Sequence, residues 1–312
     1  MAGPAAGGRL EVCRSAQYLL RDRNREPLMN PVKSALPFAL FTLVACAPAS
    51  EPIEGENIIY TRIAVDGEAR FGVVEGETVF EIEGDIFGEH GKTTRSHPIS
   101  EVTFLPPVAP SKVIAVGLNY MSHLGDRPVA SEPPLFAKYP TSLSGSGTPI
   151  TIPPDANNLH YEGEMVLVIG DTASHVAPED ALDYVFGVTI GNDVSERDWQ
   201  ASDLQWFRAK GSDGFGPTGP FLVTGLNPDN LSLTTRVNGE VRQEGHTSDL
   251  IFDVSTIISY VSRYVTLYPG DLIFTGTPGT TTAMLPGDVV EVELEGVGVL
   301  RNTVVGASTG TD

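Results

Sequence analysis

Three carboxylates have the types and spacing needed to hold a divalent cation. Glu162 and Glu164 are separated by one residue in HYEGEMVLVIG, and Asp193 follows the apolar start of TIGNDVSERDWQ. If the first segment is a strand, side chains two positions apart point to the same face, so both carboxylates converge. Like charges there are unfavourable unless a cation neutralises them, and oxygen ligands suit Mg²⁺, Mn²⁺ or Ca²⁺ better than zinc. The pattern predicts a metal site, although exposed alternation along a strand would give the same spacing.

The elements that must position these carboxylates are mostly short strands. Between residues 58 and 104, apolar and polar residues alternate in runs broken by glycine, which is typical of β-hairpins. The segments KVIAVGLNY and GEMVLVIG predict buried strands, and the glutamates of GDVVEVELEGVGVL indicate the solvent face of another strand. PEDALDYV and residues 253–265, with Asp253 as a cap, predict helices. The sequence therefore predicts a β-rich α+β fold.

Composition limits the classes of partner. The chain has a formal net charge of −20, which would repel a polyanion, so nucleic acid is not an expected partner. Its two cysteines, Cys13 and Cys46, have neither CxxC nor metal-site spacing, which argues against a disulfide framework and a zinc–thiolate site.

The N-terminal segment has the pattern of an export signal. Residues 29–45 contain a basic start and an uncharged apolar run that is too short to span a bilayer. The run ends in Leu-Val-Ala-Cys46, which resembles a bacterial lipoprotein cleavage box, and residues 46–57 would form a polar tether. We therefore expect lipid attachment at Cys46 and a location in the bacterial cell envelope, lipid-anchored or periplasmic. A buried apolar strand or helix is the alternative, with a cytoplasmic location, and residues 1–28 are a doubtful upstream segment.

An ordered set of motifs resembles the fumarylacetoacetate hydrolase family from about Ser111 to Val305. The motifs are GLNYMSHLGD (117–126), EPPLFAK (132–138), YEGEM (161–165), NDVSERDWQ (192–200), RAKGSDGFGPTGP (208–220), VNGEVRQ (237–243) and TGTPGT (275–280). The resemblance implies a mixed β-roll/β-sandwich catalytic domain at residues 106–306, preceded by a small β domain at 58–105 and followed by a tail at 307–312. It also implies a homodimer.

The resemblance implies a role for each matching residue. Glu162, Glu164 and Asp193 fall on the family's metal-ligand motif, so Mg²⁺ or Mn²⁺ is the expected cofactor, with Ca²⁺ as an alternative. Lys210 matches a catalytic lysine near the substrate and the metal. The residues that match substrate-binding positions are Lys138, Arg197, Gln200 and Thr277.

The lid motif departs from the family pattern. His123 matches a lid histidine that works with an acid three residues later, but the usual HxxE is replaced here by His123-Leu-Gly125-Asp126. Aspartate is one methylene shorter than glutamate, and Gly125 weakens any helix there. The resemblance thus implies a water-activating pair of His123 and Asp126, and the departure places that pair in doubt.

The expected reaction is hydrolysis of a C–C bond in an acylpyruvate or a related 2-oxo or β-diketo acid, through a metal-stabilised enolate. An isomerase, tautomerase or decarboxylase of oxaloacetate-like 2-oxo dicarboxylic acids is the alternative, because those reactions need no activated water. A lipid-anchored protein that binds oxo acids without turnover is an alternative of another class. In each case the expected partner is a small-molecule 2-oxo acid, with membrane contact only through the lipid anchor.

Overall fold

The protein is described by a computed structural model that covers residue 53 and residues 57–307. The upstream segment at 1–28, the signal peptide at 29–45, Cys46 and most of the tether lie outside the described residues. Residues 308–312 of the predicted tail also lie outside them. The described helices include none that is both long and apolar enough to cross a membrane.

The first described strands form hairpins, as the alternation predicts. Asp66 and Gly67 both have positive φ, 51° and 80°, which fits the tight turn between the first two strands. The strands are β1 (Ile59–Val65), β2 (Glu68–Glu75), β3 (Thr78–Gly84), β4 (His90–Pro98) and β5 (Thr103–Phe104).

The central part of the chain supplies the strands that carry the predicted motifs. They are β6 (Val113–Val116), β7 (Leu135–Lys138), β8 (Leu143–Ser144), β9 (Ile150–Thr151), β10 (Leu159–His160), β11 (Gly163–Ile169), β12 (Val185–Asn192), β13 (Ser195–Glu196) and β14 (Gly216–Val223). The last strands are β15 (Ser232–Val237), β16 (Glu240–His246), β17 (Leu272–Phe274), β18 (Val289–Leu294) and β19 (Gly298–Val305).

One large sheet joins the hairpins at the N-terminal end to the motif-bearing strands. Its 12 strands follow the order β4-β3-β2-β1-β14-β12-β11-β17-β6-β7, with β5 beside β1 and β8 beside β14. The junction is an antiparallel ladder in which Ile59 lies opposite Val223. The strands of the predicted small β domain therefore continue the same sheet.

A second sheet of five strands, in the order β16-β15-β18-β19-β9, packs against the large sheet. Contacts between β11 and β15, β12 and β18, and β14 and β19 join the two layers. In β18, Val290, Val292 and Leu294 are buried, whereas Glu293 is exposed. The layered, β-rich fold predicted from the sequence is confirmed.

The helices are few and short. They are α1 (Met121–Leu124), α2 (Arg197–Ser202), α3 (Phe207–Gly211) and α4 (Val254–Tyr264). Asp253 caps α4, because its side chain accepts a hydrogen bond from the backbone N–H of Thr256 at 2.8 Å. The predicted helix in PEDALDYV is a 3₁₀ helix (Pro178–Tyr184), and other 3₁₀ turns are Ile99–Glu101, Pro140–Ser142, Leu204–Trp206 and Thr247–Asp249.

Strand β11 is buried on both faces, which explains its continuous apolar sequence. Met165 and Leu167 pack into one apolar cluster, and Val166 and Val168 pack into a second cluster around Phe274. Close packing on both faces leaves little freedom for the strand to move. The carboxylates at its start therefore stand on a rigid base.

Candidate metal and substrate site

The carboxylates meet where β11 begins and β12 ends. Glu162 immediately precedes β11, Glu164 lies in it, and Asp193 immediately follows β12. The antiparallel register places Gly163 opposite Asn192, and the Asp193 N–H donates to the Glu162 carbonyl oxygen at 2.8 Å. One ligand oxygen from each of the three side chains lies within 4.8 Å of the others, and all three residues are buried. The sequence-predicted carboxylates are therefore brought together.

Two buried lysines compensate part of this negative charge. Lys210 Nζ donates to Glu162 Oε2 at 2.5 Å and to Asp193 Oδ2 at 2.6 Å. Lys138 Nζ donates to Asp193 Oδ1 at 2.6 Å and also to the carbonyl oxygens of Lys210 and Phe215. Burial lowers the pKa of Lys210, but Asp193 and Glu162 outweigh burial, so that the pKa is raised. Lys210 thus stays charged between two of the carboxylates.

Lys138 has a different place from the one expected of a substrate-binding residue. It ends β7, its side chain is fully buried, and it does not belong to the cavity wall. All three hydrogen bonds of its ammonium group go to protein oxygens, namely Asp193 Oδ1 and the carbonyl oxygens of Lys210 and Phe215. In this structure the Lys138 ammonium group contacts Asp193 and the carbonyl oxygen just before β14, and Lys138 does not line the cavity.

Glu164 is the carboxylate that lacks a cationic hydrogen-bond partner within the described chain. Its Oε2 accepts from the Gly276 N–H at 2.8 Å. Burial, reinforced by Asp193 and Glu162, holds its pKa well above the usual range. Burial also acts to raise the pKa of Glu162, but Lys210 and Arg197 hold it well below that range. A divalent cation would relieve the repulsion at Glu164, so these oxygen donors fit such an ion.

Helix α2 presents Arg197 and Gln200 to the same centre. Arg197 Nη2 donates to Glu162 Oε1 at 2.5 Å and to Thr281 Oγ1 at 2.9 Å, and Nη1 donates to Gln200 Oε1 at 2.7 Å. The helix begins beside the carboxylates because Glu196 caps it, accepting from the Trp199 N–H at 2.6 Å. Arg197 and Gln200 both line the cavity.

His123 faces the carboxylates from the opposite wall. Its Nδ1 lies 2.6 Å from the Gly279 carbonyl oxygen, and because a carbonyl only accepts, Nδ1 carries the proton. The other ring nitrogen, Nε2, lies 3.5 Å from Glu162 Oε1, and when Nε2 carries a proton it can donate to that carboxylate. The position suits a single acid–base group.

The predicted pair of His123 and Asp126 is not formed in this structure. Helix α1 ends at Leu124, and Gly125 adopts φ 59° and ψ −133°, which turns the chain away. Asp126 is exposed, is absent from the cavity wall, and forms no hydrogen bond or ion pair with any residue in the described part of the chain. The glycine places the acid outside the site, so the lid departs from the family pattern in geometry as well as in sequence.

Thr277 lines the cavity, but its hydroxyl group is already engaged. Its Oγ1 donates to the Gly163 carbonyl oxygen at 2.8 Å and accepts from Gln243 Nε2 at 2.8 Å. Gln243 Oε1 in turn accepts from the Gly163 N–H at 3.1 Å. Gln243 therefore fixes both Thr277 and the backbone between the two glutamates. The sequence placed Gln243 at the end of the VNGEVRQ motif but gave it no role.

Sequence reasoning also gave no role to His160, which lines the cavity beside Glu162. Its Nδ1 lies 2.8 Å from Thr281 Oγ1, the same hydroxyl that accepts from Arg197. Burial, with a contribution from Arg197, lowers the pKa of His160 to about 4. The ring is thus neutral near pH 7 and can accept the Thr281 proton. The only sequence indication was its closeness to Glu162.

The cavity around these residues has a volume of about 520 Å³, within the usual range for small-molecule sites. One wall is polar and carries the charged groups, whereas Phe136 and Trp206 form an apolar wall, with ring centroids 5.2 Å apart. The site therefore combines an anionic, metal-competent floor with cations and an apolar surface. Such a floor suits chemistry at the carbonyl of an anionic substrate.

Comparison with known proteins shows which family the chain belongs to. Residues 112–305 match the family model for the fumarylacetoacetate (FAA) hydrolase C-terminal domain, and residues 60–107 match the Rv2993c-like N-terminal model. Protein Rv2993c of Mycobacterium tuberculosis is 44% identical over 78% of this chain and 97% of its own length.

Two further relatives have named activities. The human mitochondrial oxaloacetate tautomerase FAHD2A is 43% identical over 67% of this chain and 71% of its own length. The crystal structure of 2-hydroxyhepta-2,4-diene-1,7-dioate isomerase from Mycobacterium marinum is 42% identical, with a TM-score of 0.75, and covers 81% of this chain and 100% of that protein. The chain therefore belongs to the fumarylacetoacetate hydrolase family.

Proposed function

We propose that this protein is a divalent-metal-dependent isomerase that interconverts the enol and keto forms of 2-oxo dicarboxylic acids such as oxaloacetate. The observation that carries the proposal is that His123 Nε2 faces the Glu162 carboxylate while Asp126 lies outside the cavity. Tautomerisation moves one proton and needs no activated water, whereas hydrolysis needs a positioned water and a base for it. The named activities of the human and M. marinum relatives support the same assignment.

Glu162, Glu164 and Asp193 would hold the cation. When bound, a divalent cation supplies Lewis-acid polarisation of the 2-oxo carbonyl and stabilises negative charge that develops on its oxygen. Mg²⁺ or Mn²⁺ agrees with the all-oxygen donor set.

The chain's own residues would orient the substrate and move the proton. Arg197 and Lys210 place positive charge beside the carboxylates and attract the carboxylate at C1. Gln200 and Thr281 hold the Arg197 guanidinium group in one orientation through two hydrogen bonds. In the direction from enol to keto, the enol oxygen loses a proton and C3 gains one, and His123 Nε2 is the group placed to carry it.

Turnover of enol oxaloacetate tests this proposal. The full chain, loaded with Mg²⁺ or Mn²⁺, is mixed with the enol form, and the loss of enol absorbance is followed with and without chelator. We expect faster ketonisation that requires the metal, and a loss of about 10²-fold or more in His123→Asn, because general acid–base catalysis contributes about 10²–10⁴-fold.

Asp126→Asn is the matched control for the histidine variant. Asp126 is exposed and unpaired in the described structure, so its replacement should leave ketonisation within about twofold of the wild-type rate. A metal-loaded protein that does not accelerate ketonisation would refute the proposal. An equal loss in both variants would instead restore the predicted His123–Asp126 pair.

A C–C bond hydrolase acting on acylpyruvates is the second candidate. The apolar wall of Phe136 and Trp206 favours it, because an acyl chain could pack there. Release of pyruvate from an acylpyruvate, measured in the same metal-loaded sample, would support this activity. Decarboxylation of oxaloacetate would appear as pyruvate formed without an added acylpyruvate, and metal binding without any turnover would favour a non-catalytic binding protein.

A further inference from the structure

Arg127 is a cation on the cavity wall whose side chain has no hydrogen bond or ion pair with any residue in the described part of the chain. The other cations that line the cavity are engaged, Arg197 with Glu162 and Lys210 with Glu162 and Asp193. The hydrogen bond of Arg127 is made by its backbone N–H, which donates to the Leu124 carbonyl oxygen at 3.3 Å. Its guanidinium group is therefore available to a ligand.

The backbone at Arg127 is held in place although the side chain is free. Leu124 is buried just before it, and the Gly279 N–H donates to Ser122 Oγ at 2.9 Å, which docks α1 against the loop after β17. Pro128 follows Arg127 and disfavours helical backbone at it. The arginine is thus anchored at the cavity and is not carried on a loose loop.

Burial separates the cavity into a floor and a rim. Glu162, Glu164 and Asp193 are buried, whereas Arg127 is exposed. A 2-oxo acid with its C1 carboxylate at the floor would therefore have its far end towards the rim, where Arg127 is the cation among the described lining residues. Three carboxylates and three cations line the cavity, so a divalent cation would leave a surplus of positive charge that a dianion balances better than a monoanion.

We propose that Arg127 binds the terminal carboxylate of the substrate and makes the site selective for 2-oxo acids with a second anionic group. This inference rests on the proposed function for the placement of the C1 end. Guanidinium binds carboxylate through paired N–H donors, which gives both affinity and geometric preference. The alternative is that Arg127 is a solvated side chain at the rim and contacts no ligand.

A matched pair of probes separates these possibilities. 2-Oxoglutarate and 2-oxopentanoate have the same number of carbons and differ in bearing a carboxylate or a methyl group at the far end. Their dissociation constants are measured by calorimetry on the Mn²⁺-loaded full chain and on Arg127→Gln, Arg127→Lys and Arg263→Gln. Arg263 is exposed on α4 outside the cavity and controls for the loss of one positive charge.

We expect Arg127→Gln to weaken 2-oxoglutarate binding by about tenfold, because the paired charge-assisted hydrogen bonds to the far carboxylate are lost, and to leave 2-oxopentanoate within about twofold. Arg127→Lys should retain part of the preference, and Arg263→Gln should resemble the wild-type protein. Equal weakening of both probes, an unchanged ratio, or the absence of any preference in the wild-type protein would overturn the inference. Because binding is measured apart from enol ketonisation, a protein that prefers the dianion but lacks turnover would refute only the proposed function.

Discussion

Removing the buried ammonium of Lys138 should destabilise the fold far more than removing the partly exposed ammonium of Lys92, which has the same ion-pair distance. Lys138 Nζ lies 2.6 Å from Asp193 Oδ1 and Lys92 Nζ lies 2.6 Å from Glu75 Oε1, but the Lys138 side chain is 0% exposed and that of Lys92 is 21% exposed. The pair Lys138→Met and Lys92→Met therefore compares one substitution in two environments.

The magnitude follows from what each ammonium leaves behind. Without it, Asp193 loses one of its two lysine partners, and two buried carbonyl oxygens, of Lys210 and Phe215, lose a donor. Removing one partner of a buried ion pair costs about 3–5 kcal/mol. An exposed pair contributes about 0–1 kcal/mol, and the exposed Glu75 can be solvated again in the Lys92 variant.

Urea unfolding, followed by circular dichroism and tryptophan fluorescence, measures both free energies. The protein is kept in chelator, so that metal binding does not offset the loss, and coincident transitions from the two probes test two-state behaviour. We expect the Lys138 variant to lose about 3–5 kcal/mol and the Lys92 variant less than about 1 kcal/mol. Similar small losses in both would show that the ammonium of Lys138 is not required to compensate Asp193, and would refute the prediction.

The remaining predictions concern the metal site, the packing near it and the ion pairs of Glu81. Glu164→Gln should weaken Mn²⁺ binding by at least about 10²-fold in calorimetry. In chelator, without metal, the variant should be as stable as the wild-type protein, because the Glu164 carboxylate has only a backbone N–H as hydrogen-bond partner. An unchanged affinity for Mn²⁺ would show that Glu164 is not a metal ligand. Gly191→Ala should cost about 1–3 kcal/mol, because a Cβ would lie 2.4 Å from Phe274 Cε1, whereas Gly88→Ala, with its nearest atom at 3.8 Å, should be nearly neutral in urea unfolding. Burial acts to raise the pKa of Glu81, but Arg95 and His97 outweigh burial and the pKa is lowered. The ionised Glu81 therefore stabilises the fold above the ordinary glutamate pKa of about 4.3, and this stabilisation is lost as the pH falls through the lower pKa of the folded protein. Glu81→Gln should accordingly cost about 0.5–1 kcal/mol at pH 7, discounted because Arg95 is more than half exposed, and a cost that persists at pH 3 would contradict the assignment.

The sequence predicted the parts of the site that depend on local spacing. Glu162 and Glu164 stand two positions apart where a strand begins, so alternation predicts their shared face. The place of Asp193 beside them was implied by the family resemblance, because spacing alone does not show that β11 pairs with β12. The capped helix α4 was likewise predictable, because its apolar residues recur at helical spacing after Asp253.

Features that depend on contacts distant in sequence were not predictable. The partner of His123 is the carbonyl of Gly279, 156 positions away, and the family pattern instead suggested the neighbouring Asp126. The sequence places Lys138 at the end of a strand, but whether its side chain enters the cavity depends on how β7 and α3 pack. The PEDALDYV segment has the composition of a helix start, but that composition does not distinguish α from 3₁₀ geometry.

The ladder between β1 and β14 has a consequence for how the chain can be divided. Strand β1 pairs with residues 221–223 of β14, β8 pairs with Gly216 and Pro217, and β12 pairs with the other side of β14. If a protein began after residue 105, the backbone of residues 221–223 would become an unpaired sheet edge that includes the buried Leu222 and Val223. Unprotected edges pair readily with other chains. The N-terminal hairpins therefore protect this sheet edge from pairing with other chains, and any replacement segment would have to pair with β14 in the same register.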